Sequence, residues 1–122
     1  MKYNYDLEER LIEFSVSIID VVDKMPSSKA GNHLAGQLVR SGTSVALNYG
    51  EAQAGESRRD FIHKLKVVLK ELRESYINLQ IIKRAKLFDH MELIEKILDE
   101  NNQLISIFVK SVVTAEGNQK IV

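Results

Sequence analysis

A single proline, Pro26, stands in a chain of 122 residues. No segment alternates apolar and polar residues with the two-residue period of a half-buried strand. Proline breaks a helix because it lacks the N–H donor and clashes with the preceding turn. A chain with one such breaker, and apolar residues recurring at three and four almost throughout, is expected to be all-α. At this length one domain is expected, spanning residues 1–122, with enough chain for a core of its own.

The apolar spacing divides the chain into four helical segments. The first runs from about Asp6 to Lys24. Leu7, Leu11, Phe14, Ile18, Val21 and Met25 mark one face, and Ile12, Val16, Ile19 and Val22 a second beside it. Together they cover more than half the circumference, which is wider than packing inside one bundle requires, and so predict self-association. Met25-Pro26-Ser27-Ser28 closes this segment: proline disfavours helical geometry at Met25, and either serine caps the next N-terminus. The second segment reaches about Ala54. Leu34, Leu38, Val45, Tyr49 and Ala52 form its bulky face. Ala35, Gly42, Ala46 and Gly50 form a ridge of small residues on one flank, and Gln37, Arg40, Ser44, Asn48 and Glu51 a polar stripe on the other. Glycine inside a helix costs roughly 1 kcal/mol against alanine. Gly36, Gly42 and Gly50 are therefore expected to admit a neighbouring helix at close range.

Gly55 is expected to end the second helix in a left-handed conformation. Ser57-Arg58-Arg59-Asp60 has capping-box spacing and opens a third helix. That helix extends from Arg58 to about Leu87, about 45 Å at 1.5 Å per residue. Phe61, Leu65, Val68, Leu72, Tyr76 and Leu79 are its core face; Arg59, His63, Lys66, Lys70 and Arg73 lie opposite, with Arg84 further on. Asp89-His90-Met91-Glu92 repeats the capping pattern before a fourth helix. Ile94, Ile97, Leu104, Phe108 and Val112 carry that helix's core face, and Asn101 interrupts it. The tail from Glu116 to Val122 is expected to fray. Four helices joined by short connections predict an antiparallel up-down-up-down four-helix bundle.

The run QLVRSGTSVALNYGEA, a short Gly/Ser-containing turn, and SRRDFIHKL opening the third helix resemble a known family. It comprises the small four-helix-bundle proteins named for open reading frames in intervening sequences of bacterial 23S rRNA genes. The likeness extends over about residues 7 to 115, with Tyr49-Gly50 where the family commonly has an apolar pair such as Ile-Ala. The order Arg40, Ser44, Asn48, Glu51 is its most specific mark. The resemblance implies a homopentamer of four-helix bundles. The chain is also similar to the accessory variability proteins of diversity-generating retroelements, whose pentameric barrels engage nucleic acid and a reverse transcriptase.

The residues exclude most chemistry. GEAQAGES, from Gly50 to Ser57, has P-loop glycine spacing, but Glu56 stands where a phosphate-binding loop needs lysine, and a helix precedes it in place of a strand. The chain has no cysteine, which removes disulfides, thiolate metal sites and a cysteine nucleophile, and fits a reducing cytoplasm. Asp60-x-x-His63 is a single pair whose aspartate reads as a helix cap, and His33 and His90 lack partners at ligand spacing, so no metal or cofactor is expected. Ser41 and Ser44 have no His and acid placed as a triad. Ser44, Asn48 and Glu51 can line a cleft, but a hydrogen-bond network between helices or subunits is the favoured reading. No signal peptide is expected from MKYNYDLEER, and no apolar run is long enough to cross a membrane.

Nucleic-acid binding is the one activity with residues behind it. Lys plus Arg and Asp plus Glu number 17 each, so the case rests on distribution. From Arg58 to Leu87 there are nine basic residues against three acidic, with the balance carried by acids elsewhere. Arg59, Lys66, Lys70, Arg73 and Arg84 are the candidate phosphate contacts. Against them, Lys70 and Glu74 have i,i+4 spacing and are expected to pair, and no exposed aromatic set is interleaved for base stacking. The expectation is a non-enzymatic, homo-oligomeric cytoplasmic scaffold that engages RNA, DNA or a protein that handles them. The alternative is a structural or protein-interaction module without nucleic acid.

Overall fold

The computed structural model describes the backbone of residues 2–55 and 57–121 and the side chains of residues 6–55 and 57–117. It holds four helices: α1 (Lys2–Asp23), α2 (Lys29–Gln53), α3 (Arg58–Arg84) and α4 (Met91–Ile121). Each packs on the next, and α1 closes against α4 along the thinnest of the four seams. Contacts between helices run in opposite directions along the chain. Arg40 meets Glu71 while Glu51 meets Lys64, and Lys66 meets Glu116 while Lys83 meets Glu95. The bundle is therefore antiparallel and all-α, as its spacing predicts.

The helix starts follow local chemistry. Ser28 Oγ accepts from the Gly31 N–H at 3.0 Å, and Ser57 Oγ accepts from the Asp60 N–H at 3.1 Å, each meeting one of the donors a helix leaves open. At α4 the pattern is displaced by one residue. The Ile94 N–H donates to the His90 carbonyl at 3.3 Å, so His90, not Asp89, stands at the boundary, its ring stacked on buried Phe88 with centroids 6.4 Å apart.

The ends differ from expectation. Gly55 is not left-handed; its N–H donates to the Ala52 carbonyl at 3.2 Å, and a Cβ there would lie 3.1 Å from that oxygen. Close approach, not a left-handed turn, is what favours glycine at this position. The left-handed residue is Lys86, with φ 57. Around it Leu87 N–H donates to the Ile82 carbonyl at 3.0 Å and Lys86 N–H to the Lys83 carbonyl at 3.2 Å, the paired bonds of a Schellman cap. α3 thus stops at Arg84, short of Leu87. α4 continues through the 116–121 stretch where fraying is expected. Glu56 and Val122 lie outside the described residues.

Leu11, Ile18, Leu38, Val45, Leu72, Leu79, Ile94, Leu104 and Phe108 form the sealed centre of the core. Tyr49 meets the edge of Phe108 across it at 5.7 Å. Close helix approach is found at Gly42, where a Cβ would lie 2.8 Å from both Cγ atoms of Ile18, and where the Ser15 hydroxyl is shared between the Leu11 and Gly42 carbonyls at 2.9 and 3.0 Å. At Gly36 and Gly50 a Cβ would meet nothing within 4 Å. Packing inside the protomer therefore accounts for one of the three glycines.

Polar groups key the interior. The Ser41 and Ser75 hydroxyls are bonded at 2.8 Å, Asn78 Nδ2 donates to the Leu34 carbonyl at 3.3 Å, and Asn101 Nδ2 donates to the Leu72 carbonyl at 3.0 Å. The Oδ1 atoms of both asparagines are buried with no hydrogen-bond partner, a state that costs roughly 1–3 kcal/mol for each group.

Candidate nucleic-acid interface

At 100° per residue, Arg59, Lys66, Lys70, Arg73 and Arg84 project within a sector of about 60° on the outward side of α3. All five are exposed. Lys66 is tied to Glu116 on α4 at 2.7 Å, whereas Arg59, Lys70, Arg73 and Arg84 are in no ion pair among the described residues. Two other lysines of the segment are turned along the seams: Lys64 bonds Glu51 on α2, and Lys83 bonds Glu95 on α4 at 2.7 Å. The Lys70–Glu74 pairing expected from spacing does not form. Glu74 bonds Arg40 on α2 instead, because a guanidinium from the adjacent helix reaches it together with Glu71. The outward face is left with uncompensated positive charge.

The polar stripe of α2 lies along the α2–α3 seam. Arg40 Nη1 donates to both carboxylate oxygens of Glu71, at 3.0 and 3.2 Å, and Arg40 Nη2 donates to Glu74. Glu71 is 8% exposed. The hydrogen bonds to Glu71, and then its charge, hold the Arg40 guanidinium above its ordinary, already strongly basic value. Ser44 Oγ donates to the Ser41 carbonyl at 3.1 Å and Asn48 Nδ2 to the Ser44 carbonyl at 2.9 Å. Asn48 Oδ1 and Glu51 both receive Lys64. Gln37 stands exposed at the edge. The stripe joins two helices of one protomer, and the basic sector lies on the adjoining outer surface of α3.

The larger hollows lie elsewhere. One of about 500 Å³ between α3 and α4 is lined by Arg58, Phe61, Leu65, Ile107 and Lys110, among others. Two more, of about 500 and 310 Å³, open along the α1–α4 seam. None of the three is lined by Ser44, Asn48 or Glu51. Among the described residues no three His, Asp or Glu side chains converge as metal ligands, and no helix is long and apolar enough to cross a membrane.

A family model described as 23S rRNA-intervening sequence protein matches residues 4–110. The chain belongs to this family. No curated protein matches it. Among solved structures it is similar to a protein of unknown function from the S23 ribosomal protein family of Bacteroides thetaiotaomicron. The two are 27% identical with a TM-score of 0.79, over 87% of this chain and 97% of that one.

In this member of the 23S rRNA-intervening sequence family, sequence reasoning passes over two residues of the outward face. Ile77 lies in the same sector as the cations and Ile81 just beyond its edge; they are 59 and 46% exposed. Their spacing places them off the core face of α3, a signal present in the sequence but masked by their apolar character. Ile62, Ser75, Asn78 and Ile82 are likewise buried beyond the core face that spacing alone selects.

Proposed function

We propose that this protein is a non-enzymatic, self-associating helical scaffold that engages the phosphate backbone of nucleic acid through the outward face of α3. The observation that carries this reading is the state of Arg59, Lys70, Arg73 and Arg84, exposed on one face and, among the described residues, without an ion pair, while Lys64, Lys66 and Lys83 are committed to carboxylates across the seams. Unpaired cations in a row recognise phosphate irrespective of base sequence. Self-association is supported by Ile12, Val16 and Ile19, which are 41, 47 and 40% exposed along a helix whose other face is already buried.

Fluorescence anisotropy with labelled duplex DNA or structured RNA tests the nucleic-acid half. Binding at about 50 mM salt is expected to weaken on the order of a hundredfold by about 200 mM if four phosphates are neutralised. Arg59→Glu with Lys70→Glu is expected to abolish it. No binding at low salt, or binding indifferent to these substitutions, refutes the reading. Ile77 and Ile81 favour a second one, a protein-interaction module without nucleic acid, since a phosphate backbone gives two isoleucines nothing to cover. A protein partner recovered equally with and without nuclease, together with no anisotropy signal, supports that alternative.

A further inference from the structure

The hollow of about 500 Å³ between α3 and α4 takes no part in the phosphate face. Two facing helix stripes wall it. Arg58, Phe61 and Leu65 stand at i, i+3 and i+7 on α3, and Ile107, Lys110, Ser111 and Thr114 at i, i+3, i+4 and i+7 on α4. The α4 stripe that carries Leu104 and Phe108 in the sealed core continues as Ser111 and Ala115, which are too short to fill the space against α3. Phe61 and Ile107 are half-buried, so each keeps apolar surface that lines the hollow. Its mouth is cationic. Arg58 and Lys110 come from different helices, are exposed, and are in no ion pair among the described residues. No acidic residue stands in the described lining. The Ser111 hydroxyl donates to the Ile107 carbonyl at 2.9 Å, whereas the exposed Thr114 hydroxyl is in no hydrogen bond among the described residues. The neighbouring hollow on the α1–α4 seam shares Ile107 but has the opposite sign: Asp6 and Glu9 rim it, and Arg10 there is engaged by Glu100.

We infer that the α3–α4 hollow binds a small amphipathic anion, a carboxylate carried on an acyl or aromatic body. The head group pairs with Arg58 and Lys110 and accepts from the Thr114 hydroxyl. The body covers Phe61 and Ile107, with Leu65 behind them. Two cations at one mouth with no carboxylate between them sum to a positive potential that attracts an anion. A floor with a half-buried aromatic ring, in a hollow of small-ligand size, favours an apolar body. Neither feature alone selects the ligand: phosphate has the charge without the body, and an alcohol has the body without the charge. Asp6 and Glu9, beyond Ile107, repel the head group from that end and so set one orientation. Arg58 projects about 100° round α3 from Arg59, so this site and the phosphate face are separate.

Isothermal titration calorimetry on the full chain tests the site with decanoate, naphthoate, decanol and inorganic phosphate. Decanoate or naphthoate is expected to bind, the tighter of the two marking the body as acyl or aromatic. Decanol and phosphate are expected to bind at least about tenfold more weakly, for want of one half of the contact. Arg58→Glu with Lys110→Glu is expected to weaken the bound acid by about tenfold or more. Thr114→Trp sets a large ring at the mouth and is expected to exclude it. All three positions are exposed, and circular dichroism checks that each variant remains helical; if one fails to fold, the other decides alone. No heat from either acid at about 1 mM, the weak limit for ligands of this size, overturns the site. Decanol binding as tightly as decanoate would make it bare apolar surface, and phosphate binding as tightly would make it one more phosphate contact; either result overturns the inference. So does an acid that binds the variants as it binds the native chain. Thr114→Trp keeps every charge, so its anisotropy with duplex DNA or structured RNA is expected to match that of the native chain. Loss of nucleic acid there overturns the separation of the two sites.

Discussion

The α2–α3 and α1–α4 seams are held by the same kind of contact in different surroundings. Each has an arginine clamped on a glutamate. On α2–α3, Arg40 grips Glu71, whose side chain is nearly sealed, and the Ser41–Ser75 and Asn78–Leu34 bonds lie beside it. On α1–α4, Arg10 Nε and Nη2 donate to Glu100 at 3.0 and 2.7 Å, and Nη2 also reaches Gln103 at 3.2 Å, with both partners about one-third exposed. The hollows of about 500 and 310 Å³ flank that clamp. One seam is a keyed interior and the other a strap over a groove. Geometry alone does not rank two salt bridges; what surrounds them does, because a carboxylate withdrawn from water depends on its partner far more than one that water can reach.

The comparison can be broken hardest from the third side. Gly42→Val places atoms where Ile18 already sits and pushes α1, which both the α1–α2 contact and the α1–α4 strap hold, away from α2; a loss of about 3 kcal/mol is expected in urea titration. Arg40→Ala leaves Glu71 buried without its cation and is expected to cost about 2 kcal/mol. Lys86→Gly relieves the left-handed strain at the α3 cap without touching either seam, and is expected to stabilise by about 1 kcal/mol, a reference against which seam variants are read. Arg10→Ala, at the strap, is expected to cost about 0.5 kcal/mol and to vanish in high salt. Equal losses for Arg40→Ala and Arg10→Ala would erase the distinction between the seams.

Both guanidinium groups are held above their ordinary value by the carboxylates they touch. A raised value in the fold means that the stabilisation is complete below the unfolded value and is lost only as pH climbs through the folded one, which is strongly alkaline. On the arginine side, then, the gap between the two variants is expected to be the same at pH 6 and pH 9, measured by parallel urea titrations.

Whatever depends on the period of one helix was legible in the sequence: the core faces, the break at Pro26, the caps at Ser28 and Ser57, and the basic sector of α3. Whatever depends on a second helix was not. Glu74 has Lys70 four residues before it and Arg40 on another helix, and periodicity sees only the first. Gly55 and Lys86 invert the usual rule for left-handed residues, since the turn after α3 takes that conformation to complete a paired cap and the turn after α2 does not. Gly36, Gly42 and Gly50 are alike in sequence and differ only in what stands opposite them. Ile77 and Ile81 are the exception among the missed residues, since the period of α3 alone sets them off its core face.

The two buried asparagines bear on how many arrangements the chain can adopt. A bundle of leucines and isoleucines packs almost as well when one helix slips past its neighbour by a turn, because each apolar layer resembles the next. Asn101 has its donor on the Leu72 carbonyl and Asn78 has its donor on Leu34. A slip would strip those donors and so leave both ends of each amide bare, where the native bundle leaves only the oxygens. Misaligned bundles are thereby penalised more than the native one, and the sequence gives up some stability in exchange for a single alignment.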